Sequence, residues 1–224
     1  MLLLLSLQRR QLDTRTSSQL ARAGGAGAPG RGGLGFLREP AVWWCFAFFL
    51  LSSITLAVVQ AYGISLLKEM HGVSFEAASM TLTAYMLCGA GGMLCGGFVA
   101  ARARSSDRVV ATCLGAAAVL LLLCGSGWLG GPGTMAVLAA TGFAVGIGGP
   151  SRDMMIKKAT PKGATGRVYG LVYCGLDVGM AIAPLLFGVL MDRGWYGATF
   201  AGAAAAMLLS VVAALGVGQR TRTR

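Results

Sequence analysis

The chain has 224 residues, 55% of them hydrophobic and 12% charged, against about 25% charged in an ordinary soluble domain. So few polar side chains cannot coat a water-facing surface, which excludes a soluble globular protein. The formal net charge is +11, but the basic residues lie in short clusters between long apolar stretches, with no basic face or aromatic-interleaved patch. That distribution excludes nucleic acid as a partner.

Met1–Leu7 is apolar but far too short to cross a bilayer. No basic residue precedes it, and Arg9-Arg10 follows where a signal peptide needs small residues. It reads as the cytoplasmic end of a helix whose beginning is missing. Gln8–Arg38 then forms a polar linker with Arg9, Arg10, Arg15, Arg22, Arg31 and Arg38 and a run of Gly, Ala and Pro, expected to be mobile. Residues 1–40 are therefore the end of a truncated helix plus a basic cytoplasmic linker.

A hydrocarbon core about 30 Å thick needs about 20 apolar residues of helix, because lipid offers the backbone no hydrogen bonds. No charge occurs between Glu39 and Lys68, so Ala41 to Ile64 makes a first span. Ala77–Ala101, uncharged between Glu76 and Arg102, makes a second. The uncharged stretch Val109–Ser151 is too long for one helix and breaks at Gly125-Ser-Gly-Trp-Leu-Gly-Gly-Pro-Gly133. This gives a third span over Val109–Leu123 and a fourth over Thr134–Met155. The fifth runs Val168–Met191, interrupted by Asp177, and the sixth Tyr196–Val217. Residues 41–217 are thus an all-α membrane domain of about six transmembrane helices, and 218–224 a basic tail.

Placing the N-terminus in the cytoplasm leaves only Lys68 and Arg193 of the 19 basic residues outside. The inside set includes Arg102, Arg104 and Arg108, then Arg152, Lys157, Lys158, Lys162 and Arg167, then Arg220, Arg222 and Arg224. Basic residues favour the cytoplasmic side, so both termini are expected there, in the plasma membrane or a bacterial inner membrane. The six cysteines (Cys45, Cys88, Cys95, Cys113, Cys124 and Cys174) fall inside apolar stretches and read as small hydrophobes in helix packing. The single histidine, His71, lies in a polar loop far from any cysteine, so neither a metal nor another cofactor is expected.

The two halves of the domain align at an offset of 91. Gly97-Phe-Val-Ala-Ala-Arg102 ends the second span and Gly188-Val-Leu-Met-Asp-Arg193 the fifth. Each repeat, 41–130 and 132–217, holds three spans. An odd number turns the second copy upside down in the bilayer, and inverted three-helix repeats are a building plan of secondary transporters.

Three stretches resemble bacterial major facilitator superfamily transporters: Gly148-Gly-Pro-Ser-Arg-Asp-Met-Met155, Ala159-Thr-Pro-Lys-Gly-Ala-Thr-Gly166 and Gly179-Met-Ala-Ile-Ala-Pro-Leu-Leu-Phe-Gly188. They are similar to the family's tenth and eleventh helices, and Asp192-Arg-Gly-Trp195 to the turn into its twelfth. The resemblance covers roughly residues 36 to 219 and implies the C-terminal six-helix half of a twelve-helix fold. A Gly-x-x-x-Asp motif of the family has a weak echo at Gly97–Arg108, with Ala101 where the acid belongs.

The implied function is secondary transport of a small solute by alternating access, with proton coupling as one option and no enzymatic reaction. The alternative is a membrane fragment or subunit that acts only through a partner. Besides the bilayer and the solute, the implied partner is a missing N-terminal half or a second copy. Paired carboxylates, a Ser/His dyad and a metal cluster are absent from the spans.

Asp177 stands near the middle of a span, where a carboxylate is costly to bury and is either functional or paired. It is a candidate proton-coupling site, or a carboxyl hydrogen-bonded to its neighbours. Gln60 and Tyr62 lie late in the first span, a pocket-lining helix by the resemblance. Ser52, Ser53 and Thr55 share that span, where polar groups either bind solute or join helices by hydrogen bonds, and Tyr85 and Tyr173 are either further contacts with the solute or packing and interfacial aromatics. Arg152 and Asp153 close the fourth span and form either a cytoplasmic gate or an ordinary charged helix end. Gly92 and Gly96, Gly142 and Gly146, and Gly175 and Gly179 repeat at four residues and place small surfaces for close helix packing. Pro184 is expected to kink the fifth span. Gly163-Ala-Thr-Gly166 lacks the Gly-Lys-Ser/Thr of a phosphate loop and marks a helix start, with Thr165 a candidate cap.

Overall fold

The structure, a computed structural model, describes residues 39–103, 105–160 and 165–222. Met1–Leu7, the linker with its six arginines, Arg104, Lys162 and Arg224 lie outside the described residues. The described residues form six helices, each long and apolar enough to cross a membrane, and no strand.

Helix α1 (Pro40–His71) begins with proline in its first turn, where a missing N–H costs nothing. It outruns the expected span by two turns, because nothing between Ser65 and His71 breaks a helix once the chain has left the apolar stretch. It ends at Gly72, whose φ of 62° suits glycine and whose N–H closes on the Lys68 carbonyl at 2.8 Å. Helix α2 (Phe75–Arg102) starts on Ser74, whose hydroxyl accepts the Ala77 N–H at 3.3 Å. Helix α3 (Ser106–Gly125) has 20 residues, enough for about 30 Å at 1.5 Å per residue. The glycine-rich break shrinks to residues 126–130, since α4 (Gly131–Ala159) resumes at once with Pro132 in its first turn. Helix α5 (Thr165–Asp192) carries Pro184 inside it, and α6 (Tyr196–Arg222) follows a turn at Gly194. Thr165 is the first residue of α5, and the residues before it lie outside the described ones.

The offset of 91 carries Pro40 onto Gly131, Phe75 onto Gly166 and Ser106 onto Gly197, each within one residue of the start of α4, α5 or α6. Packing repeats the same way. Helix α2 lies on α4 as α5 lies on α1, α3 on α4 as α6 on α1, and α3 meets α6 across the middle. Two three-helix units related by inversion would give this set of neighbours.

Glycines set the closest approaches. A Cβ on Gly92 or Gly96 would run into the backbone of Phe143 or Ile147, and one on Gly142 or Gly146 into the carbonyl of Tyr85 or Gly89. Helices α2 and α4 therefore touch backbone to backbone. On the other side, Gly175 sits against Phe46 and Gly179 against Leu50 and Ser53, seating α5 on α1. Side chains tie the remaining seams. Thr55 Oγ1 donates to the Ala203 carbonyl at 2.8 Å, Lys158 Nζ to Ser106 Oγ at 3.1 Å, and His71 Nε2 lies 3.0 Å from Thr134 Oγ1.

The outside is as apolar as the inside. Leu94, Phe98 and Leu185 are more than 70% exposed, a surface that water would not tolerate and hydrocarbon solvates. Trp43 and Trp44 start α1 at one end of the bundle, while Trp128 and Trp195 occupy turns at the other, where aromatic belts meet the membrane interface. The Arg193 guanidinium covers Trp195 at 5.6 Å. The chain is an integral membrane protein. All six cysteines are free thiols; Cys45 and Cys124 are buried as small core residues, whereas Cys95 and Cys174 are exposed.

Candidate functional site

Helices α1, α2 and α4 leave a cleft between them. Its wider part, about 190 Å³, is lined by Leu56, Gln60, Tyr85, Met86, Gly89 and Gly146. An inner cavity of about 40 Å³ shares Leu56 and Tyr85 with it, reaches Ser52, Ser53 and Arg152, and is enclosed on its other sides by Val110 of α3, Leu176 of α5 and Met207 of α6. Gly89, Gly142 and Gly146 line the edge of the wider part, at the seam where α2 and α4 meet backbone to backbone. Gln60 is half-buried there, with no hydrogen bond to another described residue. The Ser52 and Ser53 hydroxyls donate back to the carbonyls of Phe49 and Leu50 at 3.2 and 2.9 Å, and Ser53 Oγ also lies against Gly179 of α5.

Arg152 enters the inner cavity from α4, and its guanidinium lies 5.0 Å over the Phe49 ring. Asp153 Oδ1 approaches Arg152 Nε to 3.9 Å, an ion-pair contact too long to be a hydrogen bond. Both atoms, with Ser151 Oγ, are buried without a hydrogen-bond partner. Pro150 lies just before them inside α4 and, having no N–H, removes the bond that the Gly146 carbonyl would accept.

Phe49 continues the site toward α5. Its ring is 5.8 Å from Tyr173, which stacks on Tyr169 at 6.3 Å. Asp177 follows Tyr173 by one helical turn and is exposed, with no ion pair or hydrogen bond among the described residues. Tyr62 does not join the cleft; its hydroxyl donates to the Pro184 carbonyl at 2.8 Å, linking α1 to α5.

The structure thus places Gln60 in the wider cleft and Arg152 in the inner cavity, with Tyr85 lining both, and Tyr173 and Asp177 one turn apart on α5. Reasoning from the sequence missed Phe48, Phe49 and Ser151. The two phenylalanines look like ordinary span residues; only the place of Phe49 beneath Arg152 and of Phe48 in the cavity wall distinguishes them. A proline beside Ser-Arg-Asp inside an apolar span was the available signal for Ser151.

A six-helix membrane body with a mostly apolar cleft, carrying Gln60, between its first, second and fourth helices has the build of one half of a secondary transporter. The family model described as Major Facilitator Superfamily matches residues 43–224, and the chain belongs to that family, whose members are membrane transporters and not enzymes. No curated protein matches the chain.

Proposed function

We propose that the chain supplies one wall of a proton-coupled secondary transporter, in which a small solute occupies the α1–α2–α4 cleft and Asp177 carries the proton. The observation that carries this reading is Asp177 itself, an acid near mid-span, exposed on α5 beside Tyr173 and with no hydrogen bond or ion pair among the described residues. A lone carboxylate facing lipid would be strongly unfavourable, so the position calls for an aqueous path or a second body opposite it. A second six-helix body, either an N-terminal half or another copy, covers α2 and α5 and closes the cleft from the far side. Arg152 and Asp153 sit at the cytoplasmic end and open and shut it. Both termini lie in the cytoplasm of a cell whose plasma membrane, or bacterial inner membrane, holds the protein, as the distribution of basic residues supports.

The test is uptake by the purified protein in sealed vesicles, with a pH-reporting dye inside and an inward proton gradient imposed. Solutes of each charge class are supplied outside in turn. The reading expects at least one class to accumulate and to carry protons with it. Accumulation independent of the gradient would remove the coupling, and no movement of any class would rule out a second copy as the closing body and favour a chain that acts only through a partner half.

A further inference from the structure

The charged end of the cleft has an unusual composition for a membrane interior. A guanidinium offers five N–H donors in a rigid fork, and desolvating it without matching acceptors is costly. Arg152 has the Phe49 ring beneath it and Asp153 beside it, yet its Nε donates to nothing. The reason is geometric: consecutive residues on a helix point about 100° apart, so Asp153 cannot turn its carboxylate square onto the fork of its own neighbour. Asp153 Oδ1 is left equally unpaired. The two side chains are 31% and 48% exposed, and what is left without a hydrogen bond is their buried edge, Nε and Oδ1, which offers a donor to an acceptor entering from the cavity.

The cavity beside it limits what that acceptor can be. About 40 Å³ of space, where about one water occupies 10–15 Å³ on the same measure, holds a group of carboxylate size and not a whole solute. The remaining body of the ligand must extend into the wider part, about 190 Å³, along Leu56, Tyr85 and Met86 toward Gln60. We infer that the cleft takes an organic monoanion with an apolar body, its carboxylate replacing Asp153 on the Arg152 guanidinium. Bidentate arginine–carboxylate pairs need an acceptor approaching in the plane of the fork, and a ligand can reach that plane where a neighbouring side chain cannot. Displacing Asp153 also couples occupancy to the charged cytoplasmic end of α4. The inference names the solute class of the transport site proposed above and rests on that cleft being the solute's.

The experiment is equilibrium binding to the full chain in lipid nanodiscs, using benzoate and phenylacetate with benzamide and phenylacetamide as neutral counterparts. The acids should bind and the amides should not. Arg152→Gln should weaken acid binding by on the order of tenfold or more, as loss of a charge-assisted bond does, and Arg152→Lys by less. Asp153→Asn should tighten it, because the competing carboxylate is gone. Opposite shifts from adjacent residues are the signature, since damage to packing would weaken both, and Asp153→Asn stands alone if Arg152→Gln fails to fold. Amides binding as well as acids, both substitutions shifting affinity the same way, or no acid binding would overturn the inference. The last result holds even if vesicles accumulate a neutral solute, which would leave the transport reading intact. Acid binding with opposite shifts but no uptake would sustain the inference and count against transport instead.

Discussion

Gly146→Ala should unfold this protein far more easily than any alanine placed in a lipid-facing stretch. The new methyl would meet the carbonyl of Gly89, and backbone cannot rotate aside as a flexible side chain can. Helices α2 and α4 would have to separate, also breaking the reciprocal contacts of Gly92 on Phe143 and Gly142 on Tyr85. Overpacking usually costs about 1–3 kcal/mol, and an obstruction made of backbone belongs at the upper end of that range. Gly115→Ala on α3, with nothing within 4 Å of the added carbon, is the control. Thermal unfolding of both variants in the same detergent checks the expectation. Equal midpoints would mean that α2 and α4 do not pack through their glycines.

Asp177→Asn should leave unfolding unchanged and abolish coupling. The amide keeps the shape of the acid but cannot bind and release a proton, and no described residue bonds to the carboxyl it replaces. In vesicles under an inward proton gradient, accumulation should fall to the level of protein-free vesicles. Exchange of solute down its own gradient should persist, because the cleft residues are untouched. Undiminished gradient-driven accumulation by this variant would take Asp177 out of the mechanism.

Most of the architecture could be read in the sequence because bilayer thickness is a hard ruler. Uncharged stretches near 20 residues, punctuated by Lys68, Arg102, Gly127 and Arg193, leave little choice in the number of helices. The ends were less legible. Helix α1 runs past Ile64 to His71 because leaving the hydrocarbon does not end a helix; a residue such as Gly72, able to take a positive φ, does. Glycine pairs four apart pointed to close packing but not to partners, which depend on how two helices cross. That Gly142 and Gly146 meet Tyr85 and Gly89 is a fact of tertiary structure.

The site was legible only where chemistry is rare in a membrane. Asp177, Arg152 and Asp153 stand out in an apolar chain whatever the fold. Gln60 and Tyr62, two residues apart, looked alike and came out on different seams, since about 200° of helical rotation separates them. One lines the cleft and the other bonds to Pro184. The phenylalanine shelf under Arg152 had no sequence signal, because phenylalanine is common in any span.

The most direct test of the central claim, that the cleft is a solute path, is the accessibility of Gln60. Gln60→Cys, in a chain whose six native cysteines are replaced, is exposed to a membrane-impermeant thiol reagent from each side of sealed vesicles of known orientation. In the proposed topology Lys68→Cys and Lys157→Cys report the outer and cytoplasmic faces. Alternating access predicts that Lys68→Cys reacts only from outside, Lys157→Cys only from the cytoplasmic side, and Gln60→Cys from both. A Gln60→Cys that reacts from neither side, while the two reporters do, would make the cleft a packing seam and contradict the account.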